Sequence, residues 1–85
     1  MDKVIKWILV DVDNVLIAEM VQIDAEIGEP DCQLLNPYRF YSIDDMKPWK
    51  SDVTNQTVFM VRAEDILTIA DPTSTVIDKY IELTK

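Results

Sequence analysis

Apolar residues arrive in short, closely spaced runs along this chain, and the way polar residues interrupt them predicts most of its elements. Val4, Ile5, Trp7, Ile8, Leu9 and Val10 leave little polar surface near the start. That pattern suits a strand covered on both faces, running from Lys3 to Val10. Asp13-Asn14 then supplies two residues that tolerate turn geometry, and apolar character resumes at Val15, so the local reading is a hairpin. From Val15 to Ile27 the positions Val15, Ile17, Val21, Ile23, Ala25 and Ile27 alternate, while Ile17, Met20, Val21 and Asp24 also fit a helical spacing. The β-branched residues of the alternating set favour a strand, with a helix as the alternative.

Gly28-Glu29-Pro30-Asp31 combines the only glycine with a proline and two acids, which predicts a turn. Cys32 to Ile43 reads as a strand rich in large apolar residues. Asn36-Pro37 interrupts it, and because proline cannot donate to a ladder this is an edge strand or one carrying a bulge. Asp44 to Thr57 is polar and turn-prone, predicting a long surface loop whose Trp49 covers part of the core or a neighbouring subunit. Val58–Val61 and Ile66–Ile69 are two short strands joined by a tight connection at 62–65. The final segment changes period: Asp71 suits a helix cap, Pro72 its first turn, and Val76, Ile77, Tyr80 and Ile81 form one stripe. Lys79 and Lys85 fall toward the end where the helix dipole favours cations.

Five strands over about 3–70 and a helix over about 72–83 make one mainly β domain spanning residues 1–85. A domain of this length buries only about 60 to 65 per cent of its unfolded surface, so oligomerisation is one remedy for its marginal stability. Apolar types make up 48% of the residues, which excludes a disordered chain. The formal charge is -8, and no Lys or Arg lies between Trp7 and Tyr38. A broad phosphate-binding platform is thereby excluded from the first half, and any nucleic-acid contact has to be local. Cys32 is the only cysteine and forms no intramolecular disulfide; an untethered, inert thiol fits a reducing compartment or a buried small hydrophobe better than a secreted scaffold. No apolar stretch approaches a membrane span, and Met1-Asp2-Lys3 does not open a signal-peptide pattern, so a cytoplasmic protein without membrane contact is expected.

One short motif invites chemistry. Trp7 to Ile17, with Asp11 and Asp13 between two apolar runs, resembles the start of the haloacid dehalogenase phosphatases, where the first aspartate is the nucleophile and the second the general acid. That family also needs a downstream Ser or Thr, a Lys and a further acidic pair on a parallel sheet. Each βαβ unit takes about 30 residues or more, which leaves no room for the intervening elements. Asp11, Asp13 and Asn14 also look like the start of a calcium loop, but Leu16 and Gln22 stand where glycine and glutamate are required. With no histidine and one cysteine, a zinc site is not supported either. The expectation is an acidic hairpin turn in a protein that is not an enzyme and holds no metal or cofactor.

Strand count and length fit a small barrel of the OB or the Sm type. Two stretches then resemble the Sm-like family. Ala18 to Asp24 is similar to the Gly-x-Leu-x-x-Phe-Asp run of the first Sm motif, with Ile27-Gly28 at the following aromatic-or-Met and Asn positions. Val61-Arg62-Ala63, followed by Ile66 and Ile69, looks like the hydrophobic-Arg-Gly triplet of the second motif. As a whole the chain resembles the short Sm-like proteins of ocean metagenomic data attributed to cyanophages. The resemblance implies a strongly bent five-stranded antiparallel barrel that closes a homomeric ring through its edge strands. It also implies single-stranded RNA binding at pore loops, in roles that fall here on Asp24, Ile27, Gly28, Arg62 and Ala63. Ile27 offers less stacking surface than an aromatic residue and Gly28 lacks the asparagine's hydrogen bonds, so a uridine-specific pocket is not expected. The family's amino-terminal helix is replaced by a carboxy-terminal one. For Arg62 the competing role is an ion pair to Asp24 across the two loops. A ring or adaptor that binds protein without nucleic acid is the alternative function.

Overall fold

The computed structural model describes residues 4–85, so Lys3, where the first strand is predicted to begin, and the Met1-Asp2-Lys3 start lie outside it. The element order is β1 (Ile5–Asp11), β2 (Asn14–Gln22), β3 (Cys32–Ser42), β4 (Asp45–Pro48), β5 (Val58–Val61), a 3-10 turn (Ala63–Asp65), β6 (Thr68–Ala70) and α1 (Ser74–Leu83). All pairings are antiparallel, in the order β4-β3-β2-β1-β6, with β5 also on β3. β5 takes Cys32 to Leu35 and β4 takes Tyr38 to Ser42, so the two short strands share one flank of β3 end to end. This is a mainly β fold of six strands with one carboxy-terminal helix, and its ladder is an open path rather than the five-stranded closed barrel read from the sequence.

The division of β3 follows from one bulge. Ile17 pairs with Tyr38 and Glu19 with Leu35, so Asn36 and Pro37 together face the single residue Ala18. Asn36 holds a positive φ of 49°, which asparagine tolerates better than most residues, and Pro37 contributes no N–H that the ladder would have to satisfy. The extra residue reverses which face the side chains of β3 take. Leu34 joins a cluster with Ile8, Leu16 and Ala18, against which Trp49 and Phe59 pack. Tyr38 and Phe40 pack on the other face with Ile5, Ile17, Met46 and Tyr80. A sheet with a core on each face explains why β1 is apolar almost throughout.

The helix covers the second cluster. Val76, Ile77, Tyr80 and Ile81 all face it, as the stripe predicts. Its cap is Thr73, whose hydroxyl accepts from the Val76 N–H, and not Asp71, whose carboxylate instead meets Lys6 of β1. Tyr80 is buried, its hydroxyl lying 2.7 Å from the Asn36 carbonyl and 3.1 Å from that of Leu35, and its ring standing edge-on to Tyr38 at 5.8 Å. One phenol therefore ties α1 to the bulge.

Other departures have local causes. β3 is an interior strand, because the bulge removes the objection that Pro37 raises against that placement. The segment expected as one loop over 44–57 contains β4. The short polar run Asp45-Met46-Lys47-Pro48 carries a single buried residue, Met46, too little for a periodicity to register. β2 ends at Gln22 instead of continuing to Ile27. Trp49 covers its own core, tilted against Phe59 at 5.2 Å between ring centres, and its indole donates to Asn14 Oδ1.

Two stability experiments follow. Leu34→Ala empties a fully buried position between strands and is expected to cost about 2 to 5 kcal/mol in denaturant unfolding. Burial pushes the Tyr80 phenol up from its ordinary 10 to about 12. Because the folded value is the higher one, stability is complete below pH 10 and falls as pH rises from 10 toward 12. Tyr80→Phe should lower stability by about 1 kcal/mol at neutral pH and flatten that alkaline loss, read from unfolding curves at several pH values.

Candidate functional site

Two loops meet at the end of the sheet where β2 passes to β3 and β5 to β6. The first, residues 23–31, leaves β2 and closes in a turn in which the Glu29 N–H donates to the Glu26 carbonyl at 3.0 Å. Gly28 stands third in that turn with φ +89°, a conformation a type II turn needs and only glycine adopts without strain. A Cβ at Gly28 would meet nothing within 4 Å, so backbone conformation and not space selects the residue. Ile27, beside it, is fully exposed.

The second loop is the 3-10 turn after β5. Asp31 holds the two together: its carbonyl accepts from the Ile23 N–H at 2.9 Å, and its carboxylate accepts from the Ala63 N–H at 2.8 Å. Two shallow clefts result. One of about 400 Å3 runs between Val10, Gly28, Met60, Arg62 and Ile66, and one of about 260 Å3 between Ile27, Gly28, Asp31, Arg62 and Glu64. Ile27, Gly28 and Arg62 are thus brought together from distant parts of the chain, and Ala63 contributes its backbone. Asp24 is exposed and lines neither cleft.

The ion pair expected between Arg62 and Asp24 is not formed. Arg62 instead meets Asp65 through two nitrogens, at 2.8 and 3.2 Å, and Glu64 at 3.3 Å. Acids one turn away in sequence reach the guanidinium without crossing between loops, so the local partners win. The Asp65 hydrogen bond, then its charge and that of Glu64, raise the Arg62 pKa further. Any anionic ligand has to compete with these carboxylates. The residue that sequence reading missed is Asp31: an aspartate in a turn cluster signals a side chain bonding to backbone, but not which backbone.

The Asp-x-Asp stretch is the β1–β2 turn, with Val12 and Asp13 at its tip rather than Asp13 and Asn14. Asp11 accepts from the Asp13 N–H at 2.8 Å and from Asn14 Nδ2 at 2.9 and 3.1 Å. The Asn14 bond first, and the backbone N–H of Asp13 next, hold its carboxyl below the usual 3.8. β1 and β2 run antiparallel, so the parallel strand and crossover helix that would carry a phosphatase aspartate do not follow this turn. Cys32 is buried at the start of β3, and burial pushes its thiol up, away from the reactive thiolate. Among the described residues no cluster of acids, cysteines or histidines is arranged to hold a metal ion, and no helix is long and apolar enough to cross a membrane.

Fold and loops together define a small antiparallel β protein with one capping helix and a loop pair clamped by Asp31. The chain belongs to a family of unknown function, DUF6561, whose model matches residues 3–85. No curated protein and no solved structure matches it.

The clamp is open to a direct measurement. Asp31→Ala should speed amide exchange at Ala63 by about tenfold or more while protection in β1 and β2 is unchanged, as expected when a hydrogen bond worth about 1.5 kcal/mol or more to a charged acceptor is lost.

Proposed function

We propose that this chain is an Sm-like subunit whose sheet curves into a small barrel and whose copies join edge to edge in a homomeric ring, presenting the 23–31 and 62–66 loops to single-stranded RNA. The observation that carries this reading is the strand order. β6-β1-β2-β3 followed by the β4 and β5 pair fills five sheet positions in the order an Sm-like barrel uses, with a 3-10 turn joining β5 to β6, the strands at its two outer positions. Its outer members, β5 and β6, each use one flank only, leaving unpaired N–H and C=O groups in a domain too small to bury much surface alone. Met60, Leu67 and Ile69 expose apolar side chains along or beside these edges. Pairing β5 of one copy with β6 of the next satisfies the backbone and covers those side chains together.

In this reading Arg62 exchanges Asp65 and Glu64 for an RNA group, Ile27 and Gly28 offer a base an apolar side chain and an open backbone, and Ala63 frames the contact, while Asp24, outside both clefts, takes no part in it. The surrounding acids, Glu26, Glu29 and Asp31 among them, make the binding weak and local. The same acidity favours the second reading, a ring or adaptor for a protein partner in which the loops meet no nucleic acid.

Light scattering on the purified chain should give a mass several times that of one subunit, and Met60→Lys with Ile69→Lys should reduce it to a monomer of unchanged circular dichroism. A wild-type monomer would overturn the ring. Fluorescence anisotropy with a six-nucleotide oligouridylate at low salt is expected to detect binding that Arg62→Ala weakens about tenfold; an unchanged affinity would reject the loop site, and no detectable binding would leave the protein-binding ring as the better reading.

A further inference from the structure

A second surface, at the other end of β3, concentrates positive charge in this acidic chain. Arg39 and Tyr41 lie on the β3 face away from the helix, and the β3–β4 register sets Lys47 directly opposite Arg39. Lys50 follows from the turn after β4, held at φ 60° with its ammonium 5.7 Å from the centre of the Trp49 ring. The Arg39 guanidinium stands 5.1 Å from the centre of Tyr41, which is 54% exposed. These residues border an open cleft of about 300 Å3 that also includes Ser51 and Asp52.

The charge balance of this patch is unusual for the molecule. The chain has 16 acids against 8 bases, yet among the described residues the ion pairs involve only Lys6 and Arg62. Among the described residues, Arg39, Lys47 and Lys50 have no carboxylate within pairing distance. Asp11 acts on Arg39 only from further off, and Arg39 donates to the Asp13 backbone carbonyl, which orients the guanidinium without neutralising it. Two cations directly opposite on neighbouring strands repel, a cost that an anion between them would remove. An aromatic ring half-exposed beside such a pair, with the Arg39 guanidinium over it, adds a stacking surface.

We propose that Arg39, Tyr41, Lys47 and Lys50 form a binding surface for a single-stranded polynucleotide, with the three cations on successive phosphates and a base stacked on Tyr41. An acidic peptide would match the charge but make no use of the ring, and the pairing of cation and exposed aromatic is the arrangement that backbone-tracking, sequence-tolerant binding uses. The surface is separate from the loops around Arg62, seven residues or on the order of 20 Å along β3 from Cys32, and does not depend on their function.

The test uses a labelled twelve-nucleotide oligouridylate with the full chain carrying Arg62→Ala, so that the loop contribution is removed. Binding should persist there, and adding Lys47→Gln with Lys50→Gln should lower affinity at least tenfold and flatten the slope of log affinity against log salt by about 1.4, at about 0.7 per phosphate contact. Tyr41→Leu should weaken binding about fivefold or more while Tyr41→Phe leaves it unchanged. No binding in the Arg62→Ala chain, the same affinity and salt slope after both lysine substitutions, or displacement by polyglutamate as readily as by unlabelled oligouridylate would each overturn the proposal. An unaltered affinity for Arg62→Ala relative to wild type, with loss on the lysine substitutions, would instead reject the loop site and sustain this one.

Discussion

The architecture depends on the point in β3 where Asn36 and Pro37 together face Ala18. Without the extra residue, Leu34 and Tyr38 would point to the same side of the sheet, since side chains alternate with a period of two. With it, the first half of β3 feeds the cluster around Leu16 and Leu34, and the second half feeds the cluster under the helix. The neighbouring flank divides at the same place. β4 ends opposite Tyr38, β5 begins opposite Leu35, and the chain between them makes its detour through residues 49–57. The Asn36 N–H, turned out of the β2 ladder, is taken by the Thr57 carbonyl, and the Pro37 carbonyl accepts from the Trp49 N–H. The Tyr80 hydroxyl closes the arrangement from the helix side. A change of face is thus made with its nearby backbone groups satisfied, which an irregular strand inside a small core requires.

Charge is distributed along the same geometry. At the Cys32 end of β3 the two loops are lined by acids, and Arg62 is absorbed by its own neighbours. At the Ser42 end, Arg39, Lys47 and Lys50 stand without carboxylate partners among the described residues. A formal charge of -8 therefore describes the total and not any one surface. The acidic hairpin at Asp11 lies near the positive end, where the carboxylate is held by Asn14 and the Asp13 N–H and the indole of Trp49 in turn holds Asn14. An Asp-x-Asp stretch that resembles a reaction centre in one dimension is in space the joint between a turn and a core tryptophan.

Much of the fold was legible from local pattern. The dense apolar run of β1, the turn signal at Gly28, the short β5 and the helix stripe from Val76 to Ile81 each rest on interactions within a few residues, where periodicity and turn chemistry are informative. β4 was not legible, because its strand character comes from pairing with β3 and it buries only Met46. The helix cap lies two residues beyond the one the sequence pattern favours, because Asp71 and Thr73 both have capping side chains and Lys6, distant in sequence, claims the aspartate.

Residue types and their order are enough to establish a chain that is mainly β, small, acidic, punctuated at Asp13, Gly28 and Asn36-Pro37, with an amphipathic helix last. These are properties of composition and of backbone preference, which each residue carries wherever it is placed. The rest came from packing in three dimensions. Packing resolved Pro37 as a bulge within an interior strand, gave Arg62 to Asp65 instead of Asp24, made Asp31 the clamp between loops, and set Lys47 against Arg39. Each of these depends on strand register, and register is a sum over many cross-strand contacts that no single stretch of the chain contains.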